Sequence, residues 1–91
     1  MIEQQIADLA IEFIQEQYPA DNLIFTFFKG SEVVLNPEFN EYNIHESDYY
    51  IVMKDNKNHK GIINITGDQF DGIVLKILLL KTTFNTEEKH G

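Results

Sequence analysis

Cysteine, arginine and tryptophan are all missing from this chain of 91 residues. The lack of cysteine excludes disulfides and thiolate metal sites, and it leaves the redox compartment open. Arginine, whose planar guanidinium is the usual grip on phosphate, is replaced throughout by lysine. Because the formal net charge is also −8, we expect no direct binding of nucleic acid.

Long apolar runs are absent as well. The longest runs over 73–80 and is interrupted by Lys76, which is far short of the roughly 20 residues that cross a bilayer. The first residues, Met1-Ile2-Glu3, lack the basic flank of a signal peptide. We therefore expect a cytoplasmic protein with no membrane association, and no motif calls for a cofactor.

What is present is enough apolar material for one core. Apolar residues make up 43% of the chain and aromatic residues 12%, which is too rich for disorder even at this charge. A chain of this length forms one domain. It lies near the small end of what folds alone.

Apolar spacing and turn chemistry predict the elements of an α+β fold. Apolar residues recur at helical spacing before Pro19, strand-like runs follow, and Gly30-Ser31 fits a hairpin turn. Thr66 and Gln69 fit a capping box before an almost wholly apolar helix. We therefore expect one domain over 1–91, with two helices and a four-stranded antiparallel meander. The predicted order is helix 2–17, strands 23–29, 33–35, 49–54 and 62–66, helix 68–84 and a frayed tail 85–91.

No motif for catalysis is found. The chain has two serines, Ser31 and Ser47, and neither lies in a Gly-x-Ser-x-Gly elbow. No glycine-rich phosphate loop exists either, so we predict that the protein is not an enzyme and assign no catalytic residue.

A carboxylate metal site is the alternative that the segment before residue 49 leaves open. Acids and one imidazole, His45, lie within eleven residues there, and hard cations prefer such oxygen ligands. The paired Glu-x-x-His pattern of carboxylate metal bundles is missing. A solvated acidic loop is therefore the favoured interpretation, and no metal ligand is assigned.

The charge is distributed unevenly along the chain. Residues 1–53 carry ten acids and one lysine, a net of −9, whereas residues 54–91 carry five acids and six lysines, a net of +1. Acids four residues apart form one row on the first predicted helix, although like charges at this spacing destabilise a helix. We therefore predict an acidic docking surface for a protein partner with a basic surface. Its residues are Asp8, Glu12, Glu16, Glu38, Glu41, Glu46 and Asp48, with the aromatic anchors Phe39, Tyr42 and Tyr49.

In size, acidity and loose architecture, the chain resembles small acidic inhibitors of phages and mobile elements. Some anti-CRISPR proteins and uracil-glycosylase inhibitors of this kind occupy the nucleic-acid grooves of their targets. The resemblance rests on no shared motif. It implies a DNA-mimicking inhibitor or adaptor whose carboxylates dock on a basic, nucleic-acid-binding surface.

The apolar content also exceeds what a one-sided sheet buries. The strand predicted at 23–29 is apolar on both faces, and the second helix has almost no polar side. Either the two helices cover opposite faces of the sheet, or a partner covers the remainder, most simply in a homodimer. A homodimeric structural or chaperone-like protein, whose acidity serves solubility alone, is therefore the alternative function.

Overall fold

Helix α1 spans Ile2–Gln17 and opens the computed structural model, which describes residues 2–90 and the side chains of residues 2–86. Its buried residues, Ala7, Ala10 and Ile14, recur at helical spacing on one face. The Tyr18 amide closes the last turn on the Ile14 carbonyl. Pro19 then ends the helix, because its ring cannot continue the hydrogen-bond ladder.

Three strands follow, and they form one antiparallel sheet in the order β1-β2-β3. Strand β1 is Ile24–Lys29, β2 is Tyr49–Lys54 and β3 is Lys60–Asn64. In the central register Phe27 is opposite Ile51, and Ile51 is opposite Ile63. The expected α+β class with two helices is therefore confirmed, whereas the expected four-stranded meander is wrong.

The predicted strand 33–35 is the one that is not formed. The chain turns twice instead, because Val33 donates its amide to the Gly30 carbonyl and Asn36 donates to Val33. Gly30 and Ser31 hydrogen-bond to the 46–48 backbone, and a Cβ at Gly30 would overlap the His45 carbonyl oxygen. Gly30 therefore serves a close crossing of two loop segments, and a hairpin turn does not form there.

The turn between β2 and β3 is shorter than the predicted strand limits imply, because β3 begins at Lys60 instead of residue 62. One carboxylate organises this turn: Asp55 Oδ1 accepts the amides of Lys57 and His59 at 2.9 Å each. Asn58 adopts a left-handed φ of 68°, a conformation that asparagine tolerates. These local bonds fix the register at which β3 pairs with β2.

Helix α2 spans Phe70–His90, so both of its predicted ends need correction. The Thr66 hydroxyl accepts the Tyr49 amide at 2.9 Å and does not cap the helix, and the helix begins at residue 70 instead of 68. The predicted frayed tail is helical up to His90, while Gly91 lies outside the described residues. Residues 73–90 include no proline or glycine, so no helix-breaking residue ends α2 within this range.

Both helices lie on the same face of the sheet, and a loop covers the other face. On the helix side, Ile14 of α1 and Ile77 of α2 meet Ile51 and Met53 in one cluster of buried residues, the helix-side core. On the opposite side lies the loop-side core of Phe28, Tyr50 and Val52, which packs against Val33, Phe39 and Ile44. The covering loop, residues 30–48, therefore covers a face of the sheet for which the sequence predicts a helix or a partner.

Candidate functional site

The outer surface of α1 carries the first part of the predicted docking surface. Asp8, Glu12 and Glu16 are all exposed there, and we call them the acidic row. Their four-residue spacing places successive carboxylates about 6 Å apart along the helix axis. None of the ion pairs within the described part of the chain involves these residues, so no described lysine neutralises their charge.

Next to the acidic row, α1 exposes apolar side chains. At 100° per residue, Leu9 and Phe13 fall between the acidic row and the buried stripe. Leu9 is 59% exposed and Phe13 is 39% exposed. Phe13 meets Phe70 of α2 edge-on, with ring centroids 5.8 Å apart, so this apolar strip crosses from one helix to the other.

Helix α2 continues the exposed apolar surface. Leu75 and Leu79 lie one turn apart on its outer side, and they are 57% and 60% exposed. Leu79 also lines a groove between α2 and β3, together with Ile63, Lys76 and Leu80. We define the helix-layer apolar face as the exposed apolar residues of the two helices: Ile2, Leu9, Phe13, Phe70, Leu75 and Leu79.

Glu38, in the covering loop, is predicted from the sequence as a free acid, but two lysines neutralise its charge. Its Oε1 accepts hydrogen bonds from Lys54 Nζ and Lys60 Nζ, both at 3.2 Å. The hydrogen bonds from Lys60 and Lys54, with their positive charges, hold the pKa of Glu38 below its usual value. Its charge therefore adds nothing to an acidic field at the surface.

The aromatic residues beside Glu38 are packed against the molecule itself. Phe39 lies 5.1 Å from the Phe28 ring, centroid to centroid, and the Lys60 ammonium lies 5.2 Å over Phe39 and 5.8 Å over Tyr42. Burial raises the pKa of the Tyr42 hydroxyl, which the Lys60 charge opposes. Phe39 therefore packs against the loop-side core, and both half-buried rings lie under the Lys60 ammonium.

The remaining predicted residues divide between packing and exposure. Asp48 Oδ2 accepts a hydrogen bond from the Asn64 side chain at 2.9 Å. Tyr49 stacks on Phe27 at 6.0 Å under the helices, which makes it part of the sheet packing. Glu41 and Glu46 are exposed, on the covering loop.

The sheet therefore divides the predicted docking surface in two. The acidic row belongs to the helix side, and the acids of the covering loop belong to the opposite side. Sequence reasoning recognised the acidic row and the unusually apolar second helix. It missed the lysine pair Lys54 and Lys60, because only the β2–β3 register places these residues opposite each other.

The charge cluster around His45 does not assemble into a metal site. Among the described residues, no group of three or more His, Asp or Glu side chains lies close enough to hold a metal ion. The His45 amide donates to the Tyr50 hydroxyl at 2.9 Å, which ties this segment to the sheet. In the part of the chain that the structure describes, neither helix has the length and apolarity needed to cross a membrane.

No protein-family model matches this chain. Comparison with curated proteins and with solved structures also gave no match.

Proposed function

We propose that this chain is a small, acidic, non-enzymatic protein-binding domain that docks its α1 face on a basic protein surface. The acidic row carries the proposal. Its three carboxylates are exposed and have no lysine partner among the described residues. They lie beside Leu9 and Phe13, which supply apolar area for burial at an interface.

The physical balance favours a role in binding over a role in stability. Like charges four residues apart cost an isolated helix about 0.2–0.5 kcal/mol per pair, and Glu16 lies near the C-terminal end, where the helix dipole also disfavours an acid. An exposed aromatic residue such as Phe13, flanked by charge, is the composition that interface hot spots favour. Complementary charge would steer a basic partner toward this face.

The finer form of the proposal is an inhibitor or adaptor that occupies a nucleic-acid-binding surface of its target. The axial spacing of about 6 Å along α1 exceeds the 3.4 Å per phosphate of one DNA strand. The acidic row therefore imitates the sign of a DNA backbone more than its spacing. Since the sheet separates the covering-loop acids from α1, this form of the proposal rests on the acidic row alone.

Two variants with the same loss of charge test which acids matter. One variant carries D8N, E12Q and E16Q on α1, and the other carries E41Q, E46Q and D48N on the covering loop. Each is immobilised beside the wild-type chain, and proteins of the native host are captured at low salt and at about 0.5 M salt, where the Debye length is only a few ångströms. We expect one partner to be held by the wild type and the loop variant, and to be lost with the α1 variant and at high salt.

Capture that is equal for the α1 variant and the wild type would refute the proposal, as would retention that salt does not change. The inhibitor form has its own readout. Duplex DNA added at low salt should displace the partner if the occupied surface is a nucleic-acid site. A partner that keeps its hold under excess duplex DNA leaves protein binding in place and rules out DNA mimicry.

A homodimer is the second candidate, and the exposed part of α2 favours it. Leu75 and Leu79 form an exposed ridge, and Leu79 also lines the groove of Ile63 and Leu80. Ridge and groove of two copies can therefore meet about a twofold axis. The outer side of α2 lacks the acidic row of α1, so this contact would keep the two acidic rows apart. Sedimentation at micromolar concentration should then show a dimer that L79D dissociates, and a strict monomer would exclude this function.

A further inference from the structure

A cleft lies on the opposite side of the molecule, between the sheet and the covering loop. Its volume is about 260 Å³. The floor and walls are mainly apolar and include two aromatic rings, while charged residues stand at one end. The lining residues are Thr26, Phe28, Val33, Glu38, Phe39, Val52 and Lys54.

Two lysines converge at the charged end. Lys54 ends β2 and Lys60 begins β3, and the register places them directly opposite each other. Like charges in a cross-strand pair are destabilising, so this position calls for an anion. Glu38 supplies it, with a single oxygen, Oε1, that lies 3.2 Å from each ammonium.

The anion at this site is one side chain, carried by a short turn of the covering loop. Glu38 belongs to the turn Pro37–Phe39, whose backbone is held by hydrogen bonds from the Glu38 amide to Asn36 Oδ1 and from the Phe39 amide to the Asn36 carbonyl, both at 3.0 Å. The Glu38 side chain itself is about half exposed. Among the described residues, Glu38 is the one acid paired with these two lysines, so one positive charge at the end of the cleft is uncompensated.

Lys60 lies in a partly buried, aromatic environment. Its side chain is only 23% exposed, and its ammonium lies over the rings of Phe39 and Tyr42. A lysine in this position has lost part of its hydration shell, so an anion beside it is held more strongly than one beside a fully hydrated lysine.

We propose that this cleft binds a small aromatic carboxylate. The ring fills the apolar space between Phe28, Val33 and Val52, and the carboxylate lies between Lys54 and Lys60, where it replaces Glu38. Aromatic walls favour a ring over an aliphatic chain because offset ring contacts add to the area buried. A volume of about 260 Å³ accepts one ring with a short side chain.

The probe is 3-phenylpropionate, which is titrated into the 91-residue chain. Two-dimensional NMR of the backbone amides measures binding. The neutral analogue 3-phenylpropionamide and acetate are titrated in parallel. We expect saturable shifts at Thr26, Phe28, Val33 and Val52 with phenylpropionate, and binding at least several-fold weaker with either analogue. The amide lacks the charge for the lysines, and acetate lacks the ring for the cleft.

Three variants assign the site. E38Q removes the competing carboxylate, and we expect binding to tighten roughly two- to fivefold, the range of an exposed ion pair. K54M should weaken binding by a similar factor. T26F places a ring in the cleft from an exposed strand position. It should abolish binding, while the amide spectrum should show that the protein remains folded. K76M, on the helix side, is the matched lysine control and should bind like the wild type.

The proposal is overturned if neither the wild type nor E38Q shows saturable shifts, or if the carboxylate and its amide bind equally. Folded T26F that binds as well as the wild type would also overturn it. Because E38Q is an exposed substitution outside both cores, it keeps the test decisive even if T26F does not fold. A failure here leaves docking through α1 untouched, since the acidic row lies on the other side of the sheet.

Discussion

Gly30 illustrates what a single missing side chain decides. A Cβ at this position would overlap the His45 carbonyl oxygen, which belongs to backbone that hydrogen bonds also hold. We therefore expect G30A to destabilise the protein by about 1–3 kcal/mol, as overpacking of a closed site does. Urea unfolding followed by circular dichroism measures this change.

Gly72 is the matched control for Gly30. It lies within α2, where an added Cβ would meet only the Asp68 side chain at an ordinary 3.6 Å. Alanine is the better helix former, so G72A should stabilise the protein by about 0.5–1 kcal/mol. Equal effects of the two substitutions, of either sign, would contradict the crossing described at Gly30.

Asp55 sets a pH dependence at the same scale. Burial raises the pKa of this carboxyl, but hydrogen bonds from the His59 side chain and from the Lys57 and His59 amides outweigh burial, and the pKa is lowered overall. A carboxyl with a lowered folded-state pKa stabilises the fold above its unfolded pKa of about 3.9, and this stabilisation is lost as the pH falls through the folded value.

We therefore expect D55N to reduce the free energy of unfolding at pH values above about 4 and to differ less from the wild type as the pH falls below about 4. Urea unfolding at several pH values provides the measurement. D8N, which removes an exposed acid of α1, controls for the general loss of one negative charge. A deficit of D55N that is independent of pH would show that the ionised carboxylate has no special role in the turn.

At the scale of elements, α2 has a side buried in the core and a side exposed to solvent. Ile77 is 1% exposed and lies in the helix-side core, whereas Leu79, two residues later, belongs to the helix-layer apolar face. We expect I77A to cost about 2–5 kcal/mol, because it leaves a cavity, and L79A to stay within about 0.5 kcal/mol. Thermal unfolding of both variants compares them, and a large cost at Leu79 would place that side chain in contacts of the monomer.

Elements were predictable where local chemistry decides them, and unpredictable where distant segments compete. The apolar spacing before Pro19 predicted a helix there, because that spacing specifies one buried face. Val33 is a residue type that favours strands, but it lies in a turn here and packs against the loop-side core. Thr66 is a residue type that favours helix caps, but its hydroxyl accepts a hydrogen bond from the Tyr49 amide of a distant strand. In both cases, tertiary contacts outweigh a local preference.

The candidate site follows the same division. The acidic row was predictable, since four-residue spacing on a helix places side chains on one face whatever the rest of the chain does. Glu38 was not, because its two lysine partners lie 16 and 22 residues away in the chain. Only the closing of the covering loop over the sheet brings these charges together.

The whole molecule carries a net charge of −8, which acts against its own compact state. Salt screens repulsion between exposed charges more than it weakens contacts in the cores. We therefore expect the melting temperature to rise by a few degrees between low salt and about 0.5 M NaCl. Differential scanning calorimetry checks this, and a melting temperature that falls would show that surface ion pairs such as Lys81–Asp21 outweigh the repulsion.

The sequence by itself determined the class of fold, the first helix, the acidic row and the negative charge of the molecule. These properties depend on composition and on neighbours a few residues apart. Only the tertiary structure decided that both helices share one face, that the covering loop closes the other face, and that the acids divide between two sides. These outcomes depend on which distant apolar residues bury one another, and binary patterning leaves that choice open because several arrangements bury similar areas.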